Sequence, residues 1–283
     1  MQPLFDSHVH SCHSPDSQQP FDEIFPAALA KGLSGITITD HADMWFWDKE
    51  YTFREIAASV ADAKAAARQY EGRLRVFRGV ELAEYGDDPA GAARILSMSD
   101  YDVVLGSVHC LRYGKWSDAY SRIAFDEASA SASEVAGFME AYFHHLLDMA
   151  QNEDFDVLTH LTCPLRYING KYHRGIDVRP WADRITEVLE TVIRRGKALE
   201  LNTSGMHNFY GDWMPGREIL EEYYALGGRM VTLASDAHSA DRIANAFDEA
   251  IPMLKEIGFA GYYYFDQRKP CLVPWEENSS QTP

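Results

Sequence analysis

Four cysteines, Cys12, Cys110, Cys163 and Cys271, are spread over 283 residues, and no two form a CxxC pair. That scarcity excludes a disulfide framework, a zinc knuckle and a CxxC redox motif, and reduced thiols are expected. No uninterrupted apolar run approaches the roughly 18 residues that a membrane-spanning helix needs. The opening "MQPLFDSHVH" lacks a basic segment followed by an apolar one, so no secretory leader is expected and a cytoplasmic location is the default. Positive charge is scarce too, with 26 Lys and Arg against 43 Asp and Glu and a net charge of −17. Without a local basic stripe, that balance excludes extended nucleic acid as a partner. It would also repel a small anion, unless bound cations reverse the field inside a site. No GxGxxG or Walker loop, internal repeat, low-complexity tract or Pro/Gly/Ser-rich linker occurs, which argues against an open nucleotide-binding sheet and against a division into two domains.

What is present alternates. Apolar, β-rich runs are each followed by a stretch of helical periodicity: "PLFDSHV", "SGITITD", "RLRVFRGVEL", "YDVVLGSVH", "FDVLTHL", "KALELNTS" and "RMVTLASDAH" lead the seven units. The 46% hydrophobic and 12% aromatic content can fill a sizeable core. Strand–helix alternation implies a parallel sheet covered by helices. The reading is an α/β fold, a distorted seven-stranded (β/α)7 TIM-like barrel, with residues 1–283 forming one domain. Two long connections, 111–132 and 163–180, follow strands at the end where a barrel carries its active site, and the tail "ENSSQTP" is expected to fray.

Ligand-type residues collect at that same end. His8 and His10 lie in the first predicted strand, Asp40 and His41 end the second, Glu81 the third, His109 the fourth and His160 the fifth, while Asp236 and His238 end the seventh. Side chains two apart on an extended strand share a face, so His8 and His10 can grip one ion, and Asp236 with His238 repeats the pattern if the strand stays extended through Ala237. A lone histidine at a strand end is more often a core or rim residue. Six strand ends sharing one chemistry in one register is not what unrelated core histidines do. Imidazole mixed with carboxylate suits zinc, iron or manganese better than magnesium or calcium.

In order, "DSHVHS", "ITITDHAD", "RGVELAEY", "GSVH", "LTHL", "LELNTSG" and "VTLASDAHS" resemble the motifs of the polymerase-and-histidinol-phosphatase (PHP) family, and the last motifs resemble its histidinol-phosphatase branch. The resemblance implies a seven-stranded barrel with a trinuclear metal centre of zinc, manganese or iron. It implies that His8, His10, Glu81 and Asp236 hold one ion and that Glu81, His109 and His160 hold a second, with Glu81 bridging. The third ion would take Asp16, His41 and His238, with His13 as the rival to Asp16; Asp40 would orient an imidazole. Three divalent ions against the carboxylates of Asp16, Glu81 and Asp236 would leave a charge of about +3, enough to attract phosphate.

The implied reaction is hydrolysis of a small phosphomonoester, with L-histidinol phosphate of histidine biosynthesis as the first substrate. Paired ions stabilise the attacking and leaving oxygens of an in-line displacement. Glu81 would act through its bridge, Asp236 or a nearby histidine would relay a proton to the leaving alkoxide, and Arg166, ahead of Arg112, would clamp the phosphate. Trp116, Asp118 and Tyr120 are candidate partners for the amino-imidazole part. "HCLRYGKWSDAY" departs from the shorter, Phe-containing segment expected in that branch, which keeps open a phosphoesterase for a nucleotide, nucleoside bisphosphate or short oligonucleotide. A non-catalytic, metal-stabilised binding module is the third reading. "MWFWDKEYTF", 44–53, is either a pocket wall or a packed loop, and Asn202 either orients water or caps a turn. Cys12 and Cys163 remain possible soft ligands, Cys110 is read as packing, and His144 and His145 fall away from the strand ends.

Overall fold

The computed structural model describes residues 2–46 and 48–275; Trp47 and the "ENSSQTP" tail lie outside the described residues. The first half runs β1 (Phe5–Val9), α1 (Phe21–Ala30), β2 (Gly35–Ile38), β3 (His41–Asp43), α2 (Lys49–Gln69), β4 (Arg75–Ala83), α3 (Pro89–Leu96), β5 (Val103–Ser107), β6 (Cys110–Tyr113) and β7 (Trp116–Ala119). The second half runs α4 (Ala132–Asn152), β8 (Val157–Leu158), α5 (Ala182–Arg194), β9 (Ala198–Asn202), α6 (Arg217–Ala225), β10 (Val231–Ala234), α7 (Phe247–Ile257), β11 (Gly261–Asp266) and β12 (Lys269–Pro274). No helix among the described residues is long and apolar enough to cross a membrane.

The helices start where local chemistry satisfies their free N–H groups. Asp48 accepts from Tyr51 N at the head of α2, and Asp88 accepts from Gly91 N ahead of Pro89 in α3. Ser131 and Glu134 form a capping box on α4. One face of α4 then buries Phe138, Tyr142 and Phe143 completely, each contributing about 1.5–3 kcal/mol of apolar burial.

The sheet is mostly parallel, in the order β1-β2-β4-β5-β8-β9-β10-β11-β12, with β3 also paired to β4. It has ten strands rather than the expected seven. One extra strand arises because the second expected strand breaks: β2 stops at Ile38 and the chain re-pairs as β3, so that His41 starts a strand instead of ending one. Gly79 accommodates the break, since a Cβ there would come within 2.5 Å of Thr39 Cγ2. The other two strands, β11 and β12, form an antiparallel hairpin that sequence reading missed, turned by Gln267 and Arg268 with φ of 51° and 60°.

The edge strands of the parallel set meet. His10 N donates to Ala237 O and Asp236 N to His8 O, both at 2.9 Å, and Val9 bridges Ala237 in parallel. Towards the opposite end, Thr232 of β10 pairs with Tyr263 of β11 while Phe5 of β1 stacks on Tyr264 at 4.1 Å, so the hairpin wedges between β1 and β10. The long connection 111–132 is not irregular throughout: it carries the β6–β7 hairpin, whose turn includes Gly114 at φ 56°. The connection after β8 winds a π-helical turn over Arg166–Lys171.

Candidate metal centre

Parallel strands point their C-terminal ends at one face, and here those ends surround a cavity of about 350 Å³. Glu81 lies at its floor, fully buried. Its Oε2 is 3.3 Å from His8 Nε2, 3.5 Å from His10 Nε2 and 2.9 Å from His41 Nδ1. Its Oε1 is 2.9 Å from His160 Nε2 and 3.1 Å from His109 Nε2. One carboxylate is thus shared between two groups of imidazoles. Asp236 Oδ1 lies 3.2 Å from His10 Nε2 and 3.8 Å from His8 Nε2. On the outer side, Asp16 reaches His41 Nε2 at 3.5 Å and His238 Nε2 at 3.2 Å.

All nine candidate ligands therefore gather in one place. His13 does not join them: Glu55 and Asp62 hold its two nitrogens at 3.1 and 3.0 Å, on the far side of the turn. Asp236 arrives by a different route from the one expected, because β10 ends at Ala234 and Asp236 sits in the left-handed region at φ 50°. The extended Asp-x-His geometry is not formed, and His238 Nδ1 instead lies 3.0 Å from Asp236 O. A non-glycine residue held there stores about 1–2 kcal/mol of strain, and the turn lets both side chains enter the cavity.

Ring orientation is fixed from outside. His8 Nδ1 meets Glu200 at 2.8 Å, His10 Nδ1 meets Ser14 Oγ at 2.9 Å and His109 Nδ1 meets Asp43 at 3.0 Å. Their Nε2 atoms are left pointing inward, and His8 Nε2 faces His10 Nε2 at 3.0 Å while His109 Nε2 faces His160 Nε2 at 3.4 Å. Asp40 touches no imidazole directly; it accepts from Ser11, Ser14 and Ser59 and acts on His10 only through Ser14. Of these partners, the sequence patterns do not mark Asp43 or Glu200, and they do not mark Glu84, which holds the His109 backbone. Glu84 also takes a left-handed backbone, φ 50°, and accepts from Cys110 N at 2.9 Å and from His109 N.

The electrostatics favour a cation. Burial opposes ionisation of Glu81, yet His109, His8 and His41 outweigh it and hold the carboxyl well below its usual range; His10 and His8 do the same for Asp236. Burial likewise disfavours charge on His109 and His41, but Glu81 with Asp43 or Asp16 holds both well above the usual imidazole value. His10, buried and then repelled by His238 and His41, drops to about 4. Burial, then Asp43, pushes Glu84 up to about 8. His41 Nδ1 and Glu81 Oε2, although 2.9 Å apart, are not aligned for a hydrogen bond and both stay buried without one. Buried polar atoms left this way call for an ion or water.

The donor spacing fits a metal. Donors about 2.0–2.2 Å from a tetrahedral zinc lie about 3.3–3.6 Å from one another, close to the separations around Glu81 and Asp236. Three triads have ligand atoms within 4.8 Å of each other: His8, His10 and Asp236; His41, Glu81 and His109; and His10, His41 and His238. Among the described residues no cysteine joins such a group. Cys12 is exposed, Cys110 is buried, and Cys163 is a buried wall of the cavity.

At the rim, Arg166 lies 3.7 Å from Asp236 Oδ2 and donates to Ser204 Oγ at 2.9 Å and to the Tyr167 hydroxyl at 3.0 Å. Arg112 points away, exposed and paired with Asp87. Tyr120 lines the cavity, but Trp116 packs on Phe125 and Phe138, and Asp118 pairs with Arg122 at 3.5 Å. Arg122 and Trp45 complete the wall. His144 and His145 line a separate groove on α4.

Residues 6–204 match the family described as PHP domain. The probable histidinol-phosphatase of Clostridium acetobutylicum is 30% identical over 268 residues, spanning 92% of this chain and 96% of its own. That of Deinococcus radiodurans is 27% identical over 265 residues, 91% of this chain and 95% of its own. The crystal structure of histidinol phosphate phosphatase from Lactococcus lactis, in complex with zinc, L-histidinol and phosphate, has the same fold, with a TM-score of 0.73 at 24% identity over 95% of this chain and 98% of that one.

Proposed function

Since the chain belongs to the PHP family, we propose that it is a metal-dependent phosphatase that hydrolyses L-histidinol phosphate to L-histidinol and phosphate. The observation that carries this reading is Glu81, one buried carboxylate whose two oxygens serve two imidazole groups beneath a cavity rimmed by Arg166. The names of the relatives in Clostridium and Deinococcus support the choice of substrate.

The centre is read as holding three divalent ions, zinc, manganese or iron: one with His8, His10, Glu81 and Asp236, one with Glu81, His109 and His160, and one with Asp16, His41 and His238. The zinc in the Lactococcus relative supports zinc as the first to test. Such ions, when bound, supply Lewis-acid polarisation of the phosphoryl group and activation of water near neutral pH. The chain's own residues do the rest. Arg166 is aimed at phosphate oxygens, its guanidinium already oriented by Ser204 and Tyr167. Asp236, kept ionised beside His10 and His238, is placed to take up the proton that the attacking water gives up and to hand it on to the leaving alkoxide. Tyr120, Cys163 and Tyr167 line the cavity beside Arg166. The seven parallel strands are read as a distorted (β/α)7 barrel and residues 1–283 as one domain, a reading supported by the Val9–Ala237 bridge.

The test is a substrate panel. Metal-loaded enzyme should release phosphate from L-histidinol phosphate at a kcat/KM at least about 100-fold above that for nucleotides, nucleoside bisphosphates or short oligonucleotides, a margin of about 2.7 kcal/mol. Preference for a nucleotide would overturn the substrate; no hydrolysis across the panel would overturn the enzyme.

A further inference from the structure

Around the cavity, β1, β4, β5, β8 and β10 each end within two residues of a candidate ligand, β3 begins with one, and β9 carries none. Instead, β9 directs Glu200 and Asn202, two apart on one face, towards the site, and Ser204 continues the row. Glu200 is fully buried. Its Oε2 meets His8 Nδ1 at 2.8 Å, and its Oε1 accepts from His160 N at 3.1 Å and from Asn202 Nδ2 at 2.8 Å. Asn202 Nδ2 also donates to Asp236 Oδ2 at 3.3 Å. Asn202 Oδ1 accepts from Ser204 N at 3.0 Å and Ser204 Oγ at 2.7 Å. A buried carboxylate is costly unless hydrogen-bonded; here every donor to Glu200 belongs to a candidate ligand or to a residue touching one.

We propose that Glu200 is the positioning residue of the metal centre. Its acceptor oxygen keeps the His8 proton on Nδ1, so that Nε2 carries its lone pair inward. The same carboxylate pins the backbone of His160, and through Asn202 it orients Asp236. Three ligands from β1, the turn after β8 and the turn after β10 are thereby set against one another by a strand that contributes none. The assignment rests on the metal-phosphatase reading above, and it follows from donor counting. Three donors, His8 Nδ1, His160 N and Asn202 Nδ2, converge on a carboxylate that can accept all of them. In Glu200→Gln, one amide oxygen must serve the two N–H donors, so the amide NH₂ faces His8 Nδ1. The ring then has to accept there and carry its proton on Nε2, where it blocks the inward lone pair.

Cobalt titration followed by visible absorption, together with ¹⁵N–¹H correlation of the metal-free His8 ring at a pH where that ring is neutral and thermal melts of metal-free protein, tests this for wild type, Glu200→Gln and Glu200→Ala. The expected result is a 10- to 100-fold loss of cobalt affinity, the scale for removing such a partner, in Glu200→Gln protein that melts near the wild-type temperature and shows the Nε2–H tautomer. Affinity within about twofold of wild type, or an unchanged tautomer, overturns the proposal. So does a loss of affinity that merely tracks the melting temperature of both variants. If neither Glu200 variant folds, Asn202→Ala carries the test: a 3- to 10-fold loss supports the row, and none overturns it. Wild type that takes up no cobalt would instead sink the metal-phosphatase reading and this assignment with it. Wild type that binds cobalt and hydrolyses substrate, beside variants that bind equally well, would sink the assignment alone.

Discussion

Replacing Glu81 with glutamine removes one negative charge from the point where five imidazoles meet. The contacts run from 2.9 Å at His160 to 3.5 Å at His10, and the side chain is fully buried. A unit charge acting on another about 4 Å away in a protein of effective dielectric about 20 is worth about 4 kcal/mol. Relaxation and the remaining carboxylate of Asp236 offset part of this, so a loss of about 2–4 kcal/mol is expected, or about 30- to 1,000-fold in metal affinity. The amide adds a further penalty, since its NH₂ must face one of the two imidazole groups. Because both groups share Glu81, at least two ions should be affected together. Metal content of the purified variant by mass spectrometry, with phosphate release measured as metal is titrated back, reads this directly. Wild-type metal content together with wild-type turnover would refute the bridge.

Arg166→Ala should lower kcat/KM for the phosphomonoester about 10- to 100-fold, matching the roughly 1.5–3 kcal/mol of a hydrogen bond to a charged group, and Arg166→Lys should restore part of it; an unchanged kcat/KM would remove Arg166 from the phosphate site. Asp16→Ala should cost one equivalent of bound metal while His13→Ala costs none, because His13 is engaged by Glu55 and Asp62; the reverse pattern in metal analysis would exchange their roles. Burial pushes Glu153 up to about 7 from its ordinary 4.5. The folded state therefore holds that proton more tightly, and the stability it brings is complete below about pH 4.5 and lost as pH rises through about 7. A shift of that size is worth about 3 kcal/mol, so Glu153→Gln should raise Tm by about 6–12 °C more at pH 8 than at pH 4; an equal shift at both pH values would contradict the linkage.

Much of this arrangement is legible in the residues because two periodicities carry it. Strand–helix alternation orders the parallel sheet, and ligand types at strand ends mark the face where they meet, so His8, His10, Glu81, His109 and His160 can be placed without coordinates. Backbone irregularity is harder to read. The break between β2 and β3, and the left-handed turns at Glu84 and Asp236, are imposed by tertiary hydrogen bonds on residues with no glycine to advertise them. The β11–β12 hairpin went unread because its turn, Gln267–Arg268, lacks the Asn-Gly or Gly-Gly signal. Long polar side chains were read least well. Arg112 and Asp118 lie close to ligands in sequence but do not line the cavity: Arg112 pairs with Asp87 and Asp118 with Arg122 of the wall, and Trp116 turns into the apolar packing around Phe138. Glu200 showed only as one acidic residue in the alternating "LELNTS", where a carboxylate facing inward from a buried strand is itself the signal.

The most direct measurement of the central claim is phosphate release from L-histidinol phosphate by protein stripped with a chelator and then reloaded. Stripped protein should be inactive while retaining its fold by circular dichroism, and activity should return as zinc or manganese is bound. Full activity in protein shown to contain no metal, or none in protein shown to be replete, would contradict it.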